Sequence, residues 1–379
     1  MRSCSESRLE SCCGSFVVTL RGVNSRAVTA PKEARNLYID AHNHLLMSHA
    51  AWDGESPRVL PCDAIRARLE TGRAGAVGLV VGGRRAFPHR APESSWWGTL
   101  DALSQFWRGQ SEAHRPLRIL RTTEDVDRLS SELPSVLLSI EGAAPCFDTP
   151  LGDPIAALNI LYQLGVRSIQ PLGALPSPAF DAEGKDRASS PRLSSSGRKL
   201  IAEASRLGLV IDTAHLTGEE TAFAEILESA SAPPIASHHS CRSLNGLPRA
   251  LSDRAIRDIA RVGGVVGIHS GSAYLTSSER HAAMTDLIAH IRHVAELVGA
   301  DHVAIGTDYI DIARIPMDLP ASTFMKGVGE SGFMSQLADA LNEEGFDDAE
   351  RTRILSGNVR RLWHAALRST NIVGTAAQC

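Results

Sequence analysis

Short apolar runs alternate with helical periodicity from Leu37 onward. The runs are Leu37–Ile39, Val77–Val81, Val136–Ile140, Val166–Ile169, Leu209–Ile211, Pro234–Ala236, Val265–Ile268 and Val303–Ile305. Between them, segments such as Ala64–Leu69, Gly197–Leu207, Arg254–Val262 and Thr285–Val298 carry the apolar repeat of a surface helix. Glycines 208, 263 and 299 supply stops for three of these segments. Continuous apolar runs mark strands covered on both faces, and helices between such strands imply a parallel sheet with crossovers. Eight runs is the number that closes a TIM-like (β/α)8 barrel, so the pattern predicts an α/β protein built on one barrel domain.

The residues just after each run strengthen that reading. Asp40-Ala41-His42-Asn43-His44 continues the first run, Glu141 ends the third, and Asp212-Thr213-Ala214-His215 comes after the fifth. The sixth leads into His238-His239, the seventh into His269 and the eighth into Asp308. Ionisable side chains are costly in a core but belong at strand C-termini, where barrel enzymes assemble their sites.

The length of 379 residues fits two ordinary domains or one barrel, and no internal repeat or second boundary divides the chain. We therefore expect a poorly ordered N-terminal extension over 1–34, a barrel over 35–370 and a tail over 371–379. A net charge of −4, from 39 basic and 43 acidic residues, gives no reason to expect nucleic acid or an anionic membrane as partner. No apolar run approaches the ~18–20 residues of a membrane span, and Phe16–Leu20 is too short for the ~7–15-residue apolar core of a signal peptide. Seven scattered cysteines without a C-x-x-C pair read as reduced thiols of a cytoplasmic protein. The Gly/Pro/Ser-rich connection Leu172–Ser196 reads as a loop or lid over the barrel mouth. Trp96, Trp97 and Trp107 lie on an amphipathic segment that would pack against the barrel or a second subunit, which leaves a homodimer open.

Strand alternation would put His42 and His44 on one face, where two imidazoles can bind one divalent ion. His215 and His238 would bring two more to the same mouth, and four protonated imidazoles there would repel unless a metal replaced their protons. Glu141 supplies an anion that can span two ions ~3.5–4 Å apart. The chain has four lysines (Lys32, Lys185, Lys199, Lys326), none of them after a strand run, which excludes a carbamylated lysine as the bridge. Asp308 is placed to act as general base on a metal-activated water, unless it merely caps a following helix. By the same alternation His239 points away from the site and is structural.

Taken together, these segments resemble the membrane (renal) dipeptidase family of metal-dependent amidohydrolases, from about Leu37 to Trp363. The resemblance is carried by Ile39-Asp40-Ala41-His42-Asn43, Ser139-Ile140-Glu141-Gly142, Leu161-Tyr162-Gln163-Leu164-Gly165-Val166-Arg167 and Leu209-Val210-Ile211-Asp212-Thr213-Ala214-His215. Ser237-His238, Pro248-Arg249-Ala250-Leu251-Ser252-Asp253, Gly263-Gly264-Val265-Val266-Gly267-Ile268, Ile305-Gly306-Thr307-Asp308-Tyr309 and Ile354-Leu355-Ser356-Gly357-Asn358 come next in order. The resemblance implies a binuclear zinc site: His42 and Glu141 on one ion, Glu141 shared with a second ion held by His215 and His238. It makes Asp308 the acid/base and Arg249 the holder of the substrate carboxylate, a task suited to a guanidinium fork.

Two positions depart from the family pattern. The first motif usually reads His-x-Asp, and His44 stands in place of that carboxylate, which predicts an outer metal held weakly or absent. The family histidine after the fourth strand, thought to polarise the scissile carbonyl, falls at Gly173. Losing such a donor costs ~10²–10³ in rate unless something replaces it. His269 is a candidate replacement; otherwise it is a buried histidine bonded to backbone. The expected function is hydrolysis of a dipeptide or similar small amide with a carboxylate. The alternatives are a divergent amidohydrolase acting on another amide, a lactone or a cyclic substrate, or a degenerate member that binds without turnover.

Overall fold

The computed structural model describes residues 37–49, 61–72, 74–83, 95–173, 178–180, 191–277, 280–315 and 319–368. All eight apolar runs contribute strands, named here with a ninth in chain order. These are β1 (Tyr38–Asn43), β2 (Ala74–Gly83), β3 (Arg118–Ile119), β4 (Ser135–Glu141), β5 (Val166–Gln170), β6 (Val210–Ile211), β7 (Ile235–His239), β8 (Val265–Ile268) and β9 (Val303–Ile305). The unexpected strand, β3, is two residues long and pairs with Ser135 and Val136 at the start of β4, below the point where β5 joins. A two-residue strand has no periodicity to read.

Every named pair is parallel. Strands β1-β2-β4-β5-β6 lie side by side in one sheet, with β3 attached to β4, and β7-β8-β9 form a second. Isolated parallel bridges join the sheets, Asp212 to Ile235 on one side and Asn43 to Tyr309 on the other. The chain is thus a mixed α/β protein with curved parallel sheets and helices packed against them.

The predicted helices are present within Pro61–Gly72, Ser195–Leu207, Asp253–Arg261 and Met284–Val298. Local chemistry sets their ends. Ser194 Oγ accepts the Gly197 N–H at the start of the second, and Gly208 closes it with φ of +78°, a conformation glycine adopts without strain. Trp96 is buried, Trp107 donates its indole N–H to the Leu164 carbonyl, and Trp97 remains 55% exposed. Of the connection Leu172–Ser196, only an antiparallel bridge between Phe180 and Leu193 and short flanks fall within the described residues. The extension 1–34 and the tail 371–379 lie outside them.

Alternate strand positions feed two cores. Ile39, Ala76, Leu137, Val210, Ile235, Val265 and Ala304 belong to one cluster, and their chain neighbours Tyr38, Val77, Leu138, Ile211, Ala236, Val266 and Ile305 to the other. The first cluster includes Val359, Leu362 and Trp363 of the helix Asn358–Ala366, which plugs the N-terminal ends of the strands. Asn358 ties this helix down by donating its side-chain amide to the Ala300 and Val303 carbonyls. Trp363 is 1% exposed. We expect Trp363→Ala to lower the unfolding free energy by about 3–5 kcal/mol, measured by urea denaturation; a loss below about 1 kcal/mol would contradict this packing. With one end plugged by apolar side chains, the polar groups collect at the other.

Candidate metal centre and active site

The site begins where β1 meets the segment after β9. The Asp40 carboxylate accepts the Thr307 N–H (2.8 Å), the Thr307 hydroxyl (2.6 Å) and the Asn43 amide (2.8 Å). The Asp308 N–H donates to the His42 carbonyl and the His44 N–H to the Tyr309 carbonyl, both at 3.0 Å. These bonds bring His42, His44 and Asp308 together. The β1 register shifts between Asp40 and Asn43, and His44 lies beyond the strand, so simple alternation does not place it. The two imidazoles still meet, edge to face, with centroids 5.2 Å apart.

Six predicted side chains converge at this mouth. His44 Nε2 lies 3.1 Å from Glu141 Oε2 and 3.0 Å from Asp308 Oδ1. His215 Nε2 is 3.0 Å from Glu141 Oε1 and 3.3 Å from His238 Nε2. His42 Nε2 sits between the carboxylates, 3.9 Å from Glu141 and 3.5 Å from Asp308, and its ring packs 4.1 Å from that of His238. Ser237 Oγ, 2.8 Å from His238 Nδ1, turns the other ring nitrogen toward the cluster.

The electrostatics come from burial opposed by pairing. Burial disfavours charge on His44, yet hydrogen bonds to Asp308 and Glu141 outweigh it and push its pKa up to about 10. Burial likewise works against Glu141, but His215 and His44 hold it well below the carboxylate range. Asp308, buried among His238, His269 and His44, is held low in the same way. His42 has no adequate partner, and burial drives it down to about 4. Without a metal, then, the His42 imidazole is neutral, as ligation requires, while His44 carries a proton that a metal would displace.

Backbone strain concentrates here too. Among the described residues, His215 (φ +71°) and Asp308 (φ +53°) are the non-glycine residues with positive φ. Left-handed backbone at such residues costs free energy and persists only where surrounding structure imposes it. At both positions the strained turn accompanies a side chain in the cluster.

His269 lies at the edge of this group. Its Nδ1 accepts the Gly271 N–H at 2.6 Å, which leaves the proton on Nε2, 3.0 Å from Asp308 Oδ2. A Cβ on residue 271 would meet the His269 ring at 2.7 Å, so this approach needs glycine. Tyr274 stacks on the other side of His269, centroids 3.9 Å apart, and the Arg249 guanidinium lies 3.8 Å over the Tyr274 ring. The loop bearing exposed Arg249 is braced by Arg242, which donates to the Pro248 and Ala250 carbonyls.

His239 is buried, in a strand whose register shifts between Ala236 and His239, and burial with nearby His215 and His269 lowers its pKa to about 3. Gly173 packs on backbone: a Cβ there would lie 3.2 Å from Gly142 Cα and 3.3 Å from the Glu141 carbonyl oxygen. Asp212 received no role from the sequence. Its Oδ1 accepts the Ala214 and Ser237 N–H groups at 3.0 Å, and its Oδ2 faces His42 Nδ1 at 3.9 Å, the position of a carboxylate that orients a ligating histidine.

The donor set fits a metal. Within two groups, His42 with His44 and Glu141, and His42 with His238 and Asp308, the ligand atoms lie within 4.8 Å of one another. Both ring nitrogens of His42, buried and without a hydrogen-bond partner, would otherwise be a costly arrangement. No helix among the described residues is long and apolar enough to cross a membrane.

Known proteins resemble this chain in sequence and fold. An uncharacterized protein of Klebsiella pneumoniae, encoded in the pqqA 5′ region, is 29% identical over 257 residues, covering 65% of this chain and 88% of its own. An amidohydrolase from Pseudomonas aeruginosa matches the fold with a TM-score of 0.69 at 20% identity, covering 88% of this chain and 97% of its own. A metallo peptidase from Rhodobacter sphaeroides, solved with a phosphinate mimic of the dipeptide L-Ala-D-Ala, matches with a TM-score of 0.68 at 20% identity over 87% and 99% of the two chains. The membrane dipeptidase family (peptidase family M19) matches residues 33–373, a span that contains every residue of the cluster, and the chain belongs to that family.

Proposed function

We propose that this protein is a zinc-dependent hydrolase that cleaves the amide bond of a dipeptide or a similar small amide. The observation that carries the reading is the convergence of His42, His44, Glu141, His215, His238 and Asp308 within hydrogen-bond or ion-pair distance of one another. The two sheets are read as arcs of one (β/α)8 barrel, because the Asp212–Ile235 and Asn43–Tyr309 bridges lie at both seams. In this reading the cluster occupies the C-terminal mouth. Three buried free thiols, Cys62, Cys146 and Cys241, accord with a cytoplasmic setting.

His42, His44 and Glu141 would hold one zinc ion, and Glu141, His215 and His238 a second. Zinc there would acidify a coordinated water and polarise the scissile carbonyl. Asp308 accepts the water's proton and returns it to the departing amine nitrogen. His269, with Nε2 3.0 Å from Oδ2, sets an imidazole against the Asp308 carboxylate. Arg249 offers its fork of donors to the substrate carboxylate while its flat face rests on Tyr274. Asp212, 3.9 Å from Nδ1, backs the His42 ring on the side away from Nε2.

Gly173 favours a second reading. With no side chain where the family histidine would polarise the carbonyl, a lactone, whose carbonyl is more electrophilic than an amide's and so needs less polarising, is the alternative substrate.

Elemental analysis tests the metal. The purified protein should contain zinc or take it up after stripping, and uptake should weaken as pH falls. Protons compete for the ligating nitrogens, and His44 and His215 hold theirs more tightly than an isolated imidazole does. Protein that cannot be loaded at neutral pH would contradict the proposal.

A further inference from the structure

We propose that the cavity beside Asp308 is the pocket for the amine-side residue of the substrate and that it selects a large, uncharged side chain. The inference rests on the hydrolase reading above, which sets the orientation. The cavity measures about 550 Å³ and is lined by Asp308, His269, Tyr274, Arg280, Thr323 and Phe324 among others. Asp308 would deliver a proton to the departing amine, and Arg249, which would take the carboxylate, lies on the Tyr274 ring that forms one wall. The residue that carries both the amine and the carboxylate therefore runs along this cavity, with its side chain inside.

Size and charge then define that side chain. The volume falls within the ~300–1,000 Å³ of pockets that enclose whole ligands, far more than glycine or alanine would fill. Phe324 offers aromatic surface to an apolar group, joined by the edge of Tyr274, whose two faces carry His269 and Arg249. The charges on the lining are already matched. Arg280 donates to both oxygens of Asp286 at 2.6–2.7 Å, and Asp308 Oδ2 faces His269. Thr323 spends its hydroxyl proton on the Pro320 carbonyl at 2.6 Å. A charged side chain would find no unmatched counter-charge among these groups. The pocket is also fixed in shape: Phe324 pairs with Gly271 in an antiparallel bridge, and the Met325 N–H donates to the Ser270 carbonyl at 2.9 Å.

The test is a series of dipeptides with alanine first and glycine, alanine, leucine, phenylalanine, glutamate or lysine second, assayed on zinc-loaded protein. Because one methylene in an apolar pocket is worth about tenfold or more, kcat/KM for phenylalanine and leucine should exceed that for glycine by at least that factor. Glutamate and lysine should fall below alanine. Phe324→Ala should shrink the phenylalanine-to-glycine ratio several-fold, and Phe324→Leu, which keeps an apolar filler, should shrink it less. Calorimetry with the free product amino acids gives a readout independent of turnover: phenylalanine should bind more tightly than glycine or glutamate, and Phe324→Ala should remove the difference. A flat or charge-preferring profile with active enzyme would overturn the pocket and leave the hydrolase reading standing. If no dipeptide is cleaved, the hydrolase reading falls, and equal binding of phenylalanine and glycine would overturn the pocket as well.

Discussion

Asp308→Asn is expected to lower kcat by about 10²–10⁴-fold, the usual worth of a general acid–base, while bound zinc stays at its wild-type level. Asparagine keeps the shape of the side chain and can still face His44 and His269, but it cannot take a proton from water and hand it to an amine. The surroundings are arranged for the carboxylate: His44 lies on Oδ1 and His269 on Oδ2, both at 3.0 Å, and these imidazoles hold the group ionised despite its burial. The strained backbone at φ +53° sets its direction. Steady-state kinetics paired with metal analysis separates the outcomes. A rate within a few-fold of wild type would remove Asp308 from proton transfer, and loss of zinc together with rate would recast it as a ligand.

His44→Asp restores the carboxylate of the family motif and should move metal affinity and apo-stability in opposite directions. His44 now bridges Glu141 and Asp308 at 3.1 and 3.0 Å, one donor between two anions. Aspartate there would set a third carboxylate against those two, so the metal-free variant should melt at a lower temperature than the metal-free parent. Zinc would gain an anionic ligand in place of a neutral one. The dissociation constant of the more weakly held ion should fall on the order of tenfold, about 1.4 kcal/mol. Since a ligand that binds only the folded state stabilises it by mass action, zinc should raise the melting temperature more in the variant than in the parent. Equal zinc shifts in the two proteins would show that residue 44 does not touch the metal.

Much of the fold and site was legible in the sequence because burial is legible. A strand covered on both faces must be apolar throughout, so Val136–Ile140 and Val265–Ile268 announce themselves, and Glu141 and His269 just beyond them mark where the core ends. Local irregularity was not legible. β1 and β7 each carry a register shift close to their histidines, and no residue type in those segments signals it. Nor does any motif announce Tyr274. Its stacking on His269 depends on the path of the loop, in which residue 271 passes too close to the His269 ring to carry a side chain, rather than on strand spacing. Asp212 was visible as a residue but not as a partner, since its link to His42 spans two strands distant in sequence.

Metal bound by this cluster is expected to drive amide hydrolysis. The direct measurement is amine release from an alanine dipeptide by chelator-stripped protein titrated with zinc. The expected result is no turnover in the stripped protein and a rate that rises with bound zinc to a plateau at one or two equivalents. Turnover that survives stripping, or zinc bound stoichiometrically at these histidines without hydrolysis of any dipeptide, lactone or cyclic amide offered, would contradict it.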